Sequence, residues 1–194
     1  MSASFSRLAG WSSILAGVAG LGYALAFVVL KNTQLSAQFL TLAPLFAVPG
    51  LVAVFDRVRK VDPGIATVAL ALGAFGSLAA SSHGAFDLSN QLHPPASLPT
   101  DVPSEIDPRG YATFALTGLA LIMLASLANR TPELPGWVSP LGTILGTMLV
   151  LTWLARLVVL DATSVLVLLP ALVAGLLSPI FFLLLGAWLL GWRR

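Results

Sequence analysis

The chain has 194 residues, of which 57% are hydrophobic and only 9% are charged, with a formal net charge of +2. A soluble domain carries about 25% charged residues, so this composition indicates that lipid covers most of the surface. The absence of cysteine excludes disulfides, thiolate metal sites and cysteine nucleophiles. The basic residues form no stripe with interleaved aromatic residues, so nothing supports nucleic-acid binding.

Six apolar segments are long enough to cross a bilayer, which requires about 20 residues per helix. In chain order they span residues 8–30, 36–55, 65–82, 111–128, 137–160 and 165–192. Aspartate–proline pairs at Asp62 and Asp107 predict the starts of the third and fourth helices, because aspartate caps a helix and proline suits its first turn. The sequence therefore predicts an all-α fold, a six-helix transmembrane bundle that forms a single integral membrane domain.

The basic residues at the ends of these segments predict the orientation of the bundle. Only Lys31 and Arg109 lie on one side, and Arg156 lies inside the fifth segment. The seven on the other side are Arg7, Arg57, Arg59, Lys60, Arg130, Arg193 and Arg194. The positive-inside rule then predicts that both termini are cytoplasmic and that the proline-rich loop between helices three and four is extracytoplasmic. We expect the protein in the inner (plasma) membrane.

Ionisable residues collect near the predicted outer end of the third helix. Steps of three and four residues join the small residues from Ala66 to Ala80 with His83, Asp87 and Asn90, which predicts one packing face if the helix continues past Ser82. The fifth helix has a GxxxG pattern at residues 142–146, which predicts a second close helix contact.

Arg156 lies one turn below the predicted outer end of the fifth helix, at the same level as His83 and Asp87. An arginine inside a membrane is costly unless it is paired, so we expect it to pair with Asp87 or, alternatively, with Asp161. The sequence thus predicts an outward-facing polar pocket. Its candidate ligand-binding residues are His83, Asp87, Arg156, Asn90 and Arg109, with Gln91 nearby. The alternative is that these charges only stabilise contacts between the helices or extend to the outer surface of the membrane.

Other kinds of chemistry have weaker support in the sequence. His83, Asp87 and His93 are candidate metal ligands, but two histidines are few for a zinc site, and we expect neither a metal nor another cofactor. Prolines interrupt the second helix at Pro44 and Pro49 and the sixth at Pro170 and Pro179. Such breaks accompany transporter binding sites, but neighbouring helices also accommodate them, and we favour the second interpretation.

The stretch HGAFDLSNQLHPP at residues 83–95, together with the six spans and the aspartate–proline starts, carries a family resemblance. The chain resembles small multi-pass bacterial membrane proteins of unknown function, of the DUF4386-like kind. In that family a His-Gly-aromatic-Asp-Leu stretch is associated with the end of the third helix, which here maps onto His83, Gly84, Phe86, Asp87 and Leu88. The resemblance implies the fold and the location of the site, and it implies no known activity.

The leading hypothesis is a membrane protein without enzymatic activity that binds a small or lipidic ligand, such as an anionic one, in the outward-facing pocket. The alternative is a structural or accessory subunit of a larger membrane complex, and the third hypothesis is a metal-dependent membrane hydrolase. The expected partners are membrane lipids, a small ligand and, under the alternative, partner membrane subunits.

Overall fold

The computed structural model describes residues 2–94, 108–159 and 164–192, with the side chains of the fourth helix described from residue 113 onward. These residues form six helices and no strand, which confirms the all-α bundle. The helices are α1 (Ala3–Ala24, continued by a π-helical turn at Leu25–Val29), α2 (Thr33–Val58), α3 (Pro63–Leu92), α4 (Pro108–Ala128), α5 (Val138–Val158) and α6 (Val165–Leu189).

The start of α3 follows the predicted capping pattern. Asp62 Oδ1 accepts a hydrogen bond from the backbone N–H of Ile65 at 2.9 Å, and Pro63 is the first helical residue. Asp107 lies outside the described residues, although α4 does begin at Pro108. The α3 helix continues past the predicted span end at Ser82, so the candidate site residues lie on regular helix rather than in a loop.

The six helices form a closed ring. Each helix packs against its neighbours in sequence, and α6 packs against α1. The α2 helix also touches α4 and α6, which places it nearest the middle of the bundle. Around the ring, α4 separates α3 from α5, because α3 packs against α2 and α4 whereas α5 packs against α4 and α6.

Glycines allow a close helix contact between α4 and α5. A Cβ atom added to Gly146 would lie 2.6 Å from the carbonyl oxygen of Gly118, and one added to Gly118 would lie 2.8 Å from the carbonyl oxygen of Gly146. No side chain fits at such distances, so the two backbones touch directly. A Cβ atom added to Gly142 would lie 3.2 Å from the Cβ atom of Ala125 of α4, a looser contact. The GxxxG pattern therefore packs against α4.

One end of the bundle holds four of the five tryptophans and the short loops. Trp11 of α1 and Trp192 after α6 pack edge to face, with ring centroids 5.4 Å apart. Lys60, in the loop between α2 and α3, lies with its Nζ 2.8 Å from Oε1 of Glu133, in the loop between α4 and α5. The start of α1, the end of α6 and both loops therefore share one end, which we call the inner end. Its assignment to the cytoplasm stays a prediction.

The inner half of the ring is filled by apolar side chains. Val58, Leu127, Val138, Leu145 and Leu185 are at most 2% exposed. A cavity of about 10 Å³ remains between α2, α4, α5 and α6, and all the residues that line it are apolar. A single water needs about 10–15 Å³ of such space, so this cavity is too small for a ligand.

Large apolar side chains cover the outside of the ring, among them Phe75 and Leu176, which are 63% and 60% exposed. The α1 helix with its π-helical turn, α2, α3, α5 and α6 are long and apolar enough to cross a membrane. The part of α4 whose side chains are described, Thr113–Ala128, is a shorter apolar helix. Since such a surface is stable only in lipid, the chain is a multi-pass membrane protein.

Candidate functional site

The candidate site is built on α3, whose packing face follows the predicted spacing through most of its length. The small residues of the predicted face are all buried, namely Ala66, Ala69, Gly73, Gly76 and Ala80. Beyond Ala80, the buried positions are Ser81 and Gly84 rather than His83 and Asp87. The two ionisable residues therefore lie beside the tightest helix contact, and both stay partly exposed.

His83 and Asp87 form a pair one helical turn apart. His83 Nε2 lies 3.5 Å from Asp87 Oδ2, and the two side chains are 27% and 41% exposed. This distance suits an ion pair when the imidazole is protonated, but it is long for a hydrogen bond. Both residues take part in further interactions. The pair therefore presents a carboxylate and an imidazole that a ligand can reach.

Tyr23 is a polar side chain near the outer end of α1. It is partly buried, and α2 lies between α1 and α3 around the ring. The Tyr23 ring stacks on Phe27, with centroids 5.6 Å apart and planes at 10°, and Phe27 belongs to the π-helical turn that continues α1. Such turns are frequent at functional sites. Sequence reasoning missed Tyr23, although a tyrosine near the outer end of the first apolar span, one of only two in the chain, was a usable signal.

Asn90 and Gln91 lie about one turn beyond Asp87. The Gln91 Oε1 atom accepts a hydrogen bond from Thr33 Oγ1 at 3.2 Å, which joins the outer end of α3 to the start of α2. Asn90 is partly buried. The structure therefore gives Gln91 a helix-joining contact, whereas the ligand-binding role of Asn90 stays a prediction.

Arg156 lies in the last turn of α5, is partly buried and is engaged in interactions. Its predicted pairing with Asp87 would have to cross the interior of the ring, because α4 separates α3 from α5. Asp161, the alternative partner, lies outside the described residues, as does the side chain of Arg109. The shared pocket of Arg156 with the His83–Asp87 pair stays a prediction.

The candidate metal ligands do not form a cluster in the part of the chain that the structure describes. No group of three histidine, aspartate or glutamate side chains among residues 2–94, 113–159 and 164–192 is arranged to hold a metal ion. His93 caps the end of α3 and is exposed, more than two turns after His83. The described geometry therefore offers a metal two neighbouring ligands at most, His83 and Asp87.

Comparisons with family models, with curated proteins and with solved structures give no match. The resemblance to DUF4386-like proteins therefore stays a prediction.

Proposed function

We propose that this protein is a bacterial inner-membrane protein without enzymatic activity that binds a small or lipidic ligand with an anionic group at the outer end of its bundle. The observation that carries the proposal is the partly exposed His83–Asp87 pair on α3. Ionisable residues within membrane helices are costly to keep, and they usually mark functional sites.

The chemistry of the pair suits an anionic group that also donates or accepts hydrogen bonds. Arg156 supplies positive charge, and the His83 imidazole and the Tyr23 hydroxyl can donate hydrogen bonds. Asp87 would then orient the imidazole. A phospholipid headgroup such as phosphatidylglycerol combines these features, with its phosphate and the free hydroxyl groups of its terminal glycerol.

The packing of the inner half supports binding from the outer side rather than passage through the protein. Buried leucines and valines fill that half, and the cavity among them has a volume of only about 10 Å³. An open pore would require a continuous water-filled path through this half. The ligand is therefore expected to bind at the outer end.

The test measures the direct binding of phosphatidylglycerol to the purified protein in a mild detergent by native mass spectrometry. The variants are H83A, D87N and R156A, and the matched control is K60A, which removes an exposed charge at the inner end. We expect H83A and R156A to weaken binding about tenfold each, which corresponds to roughly 1.4 kcal/mol, and K60A to leave it unchanged. Equal binding by wild type and all three outer-end variants would refute the proposal.

One observation favours the alternative of an accessory subunit. Gly175 of α6 is exposed, and no described atom outside its own helix lies within 4 Å of where its Cβ would be. Ala171 and Ser178, on the same side of α6, are only partly buried. Small residues on a lipid-facing helix allow a partner helix to approach closely. Purification in mild detergent distinguishes the ligand-binding function from the subunit function. Loss of a co-purifying membrane polypeptide in a G175L variant would support the subunit function.

A further inference from the structure

The α1 and α6 helices are in close contact over the inner half of the bundle. A Cβ atom added to Gly186 would lie 2.7 Å from the carbonyl oxygen of Gly10, and one added to Gly17 would lie 2.9 Å from the carbonyl oxygen of Pro179. One added to Gly20 would lie 3.0 Å from the ring of Pro179. Small residues thus hold the two helices together as far out as Gly20 and Pro179.

Beyond Pro179 the same side of α6 no longer meets α1. Residues eleven positions apart lie on nearly the same side of an α-helix, because eleven residues make about three turns. Gly175 therefore lies on the side of Gly186. Leu172 lies on the side of Leu183, whose side chain contacts α1. Yet Gly175 is exposed, no described atom of another helix lies within 4 Å of its added Cβ atom, and Leu172 is 52% exposed.

The facing side of α1 is exposed at the same depth. In the inner half, Gly10 and Ile14 contact α6 around Gly186. Leu21 and Leu25 lie eleven residues further along α1, on the same side, and are 46% and 51% exposed. An apolar groove therefore opens between the two helices in the outer half of the bundle. We call it the α1–α6 groove, and it is lined by Leu21, Leu25, Leu172 and Gly175.

The depth of the groove distinguishes between possible occupants. Gly175 lies ten residues from Val165, the first residue of α6, which is a rise of about 15 Å. The hydrocarbon core of a bilayer is about 30 Å thick, so the groove spans one leaflet and closes at Pro179. A transmembrane partner helix would follow it through only half of the membrane, whereas an acyl chain of a phospholipid ends at that depth.

A positive charge lies at the outer end of the groove. Lys31 follows the π-helical turn of α1 and is exposed, and it forms no ion pair with an acidic side chain among the described residues. Lipid chains are as apolar as leucine, so an apolar groove alone does not select one lipid. A lysine at the membrane surface attracts anionic headgroups, so groove and charge together favour an anionic phospholipid.

We propose that the α1–α6 groove binds one acyl chain of an anionic phospholipid from the leaflet at the outer end, with the phosphate of that lipid at Lys31. The site is separate from the His83–Asp87 pair, because the pair lies on α3 and α2 lies between α1 and α3 around the ring. The inference therefore does not rest on the proposed function.

The test is photolabelling of the full chain in phosphatidylcholine vesicles. These contain equal trace amounts of phosphatidylglycerol and phosphatidylcholine that carry a diazirine near the end of one acyl chain, and mass spectrometry of peptides locates the adducts. We expect phosphatidylglycerol to label Leu21 and Leu172 about threefold more than phosphatidylcholine does, because of the charge of Lys31. Phe75 of α3, which is 63% exposed, is the reference and should be labelled equally by both lipids.

Two substitutions separate the contribution of the chain from that of the headgroup. G175L fills the open space at Gly175, so labelling of Leu21 and Leu172 by both lipids should fall severalfold. K31Q keeps the groove and removes the charge, so both lipids should label the groove equally. The matched control is A71L, which enlarges an exposed small residue of α3 outside the groove and should change neither result. If G175L does not fold, G175V carries the same test.

Three results would overturn the proposal. The first is equal labelling of Leu172 and Phe75 by both lipids in the wild type, and the second is unchanged labelling in G175L or an unchanged preference for phosphatidylglycerol in K31Q. The third is a groove that neither lipid labels in a protein that migrates as a dimer, because a second copy would then occupy it. H83A should leave labelling of the groove unchanged, so this site and the proposed outer-end pocket succeed or fail separately.

Discussion

The two ends of this bundle are built on different principles. At the inner end, apolar side chains fill the ring, and several polar groups are paired or stacked, as where the Arg57 guanidinium lies 4.7 Å from the centre of the Trp188 ring. At the outer end, the His83–Asp87 pair stays partly exposed on a helix face that is otherwise packed. Since ionisable groups in a membrane helix are kept at a cost, the inner end is built for stability, and under the proposed function the outer end binds the ligand.

The largest effect on stability should come from the inner core. Leu127 is 1% exposed, so a Leu127→Ala variant loses buried area and leaves a cavity, at a cost of about 3 kcal/mol. Chemical or thermal unfolding in detergent measures this loss. Phosphatidylglycerol binding per folded molecule should not change, and a selective loss of binding in this variant would break the division between the two ends.

A somewhat smaller effect is expected at the glycine contact between α4 and α5. Gly146→Ala places a methyl group against the backbone of Gly118, and such overpacking costs about 2 kcal/mol. The matched control is Gly175→Ala on α6, where the added methyl group meets open space. We expect the control to unfold at the wild-type midpoint or slightly above it, because alanine favours helix over glycine. Equal destabilisation by both substitutions would contradict a role for close packing.

A still smaller effect on stability is expected at the outer end. The His83 and Asp87 side chains are 27% and 41% exposed, and solvent screening leaves such a pair worth about 0.5 kcal/mol. H83A and D87N should therefore unfold close to the wild type in the same assay that registers Leu127→Ala. A loss of several kcal/mol in either variant would show that the pair holds the bundle together, which was the structural alternative.

The smallest effect should come from Ser13 of α1. Its side chain is fully buried, and in the described part of the chain its Oγ has no hydrogen-bond partner. Removing a buried hydroxyl that makes no bond is close to neutral or slightly stabilising. Ser13→Ala should thus match the wild-type unfolding midpoint, whereas S12A, which breaks the hydrogen bond from Ser12 Oγ to the carbonyl oxygen of Phe46, should not. A clear loss of stability in Ser13→Ala would indicate a partner that the described residues do not include.

The helices and several of their contacts were predictable because they depend on local properties. The lengths of the apolar segments predicted all six helices, and the capping preference of Asp62 predicted the start of α3. The small-residue spacing identified the buried side of α3 as far as Ala80, and the GxxxG pattern identified the face of α5 that meets α4. At the outer end of α3, the same spacing predicted His83 and Asp87 on the packed side, whereas the buried residues there are Ser81 and Gly84.

The arrangement of the helices around the ring was not predictable, because it depends on packing between distant segments. Arg156 and Asp87 have the same predicted depth in the membrane, which suggested that they would meet. Depth does not determine the order of the helices around the ring, and α4 lies between α3 and α5. Ser12 and Ser81 belong to segments that read as apolar spans. Their hydrogen bonds depend on which backbone carbonyls of α2 face them, and hydrophobicity carries no such information.

The sequence alone thus determined that the chain is a six-helix membrane bundle and that ionisable groups lie near the end of the third helix, because transfer from water to lipid and helix capping act residue by residue. The tertiary structure alone decided the closed ring and the hydrogen bonds from Ser81 to the carbonyl of Thr41 and from Ser12 to the carbonyl of Phe46. These depend on directional contacts, which exist only once the helices are packed together.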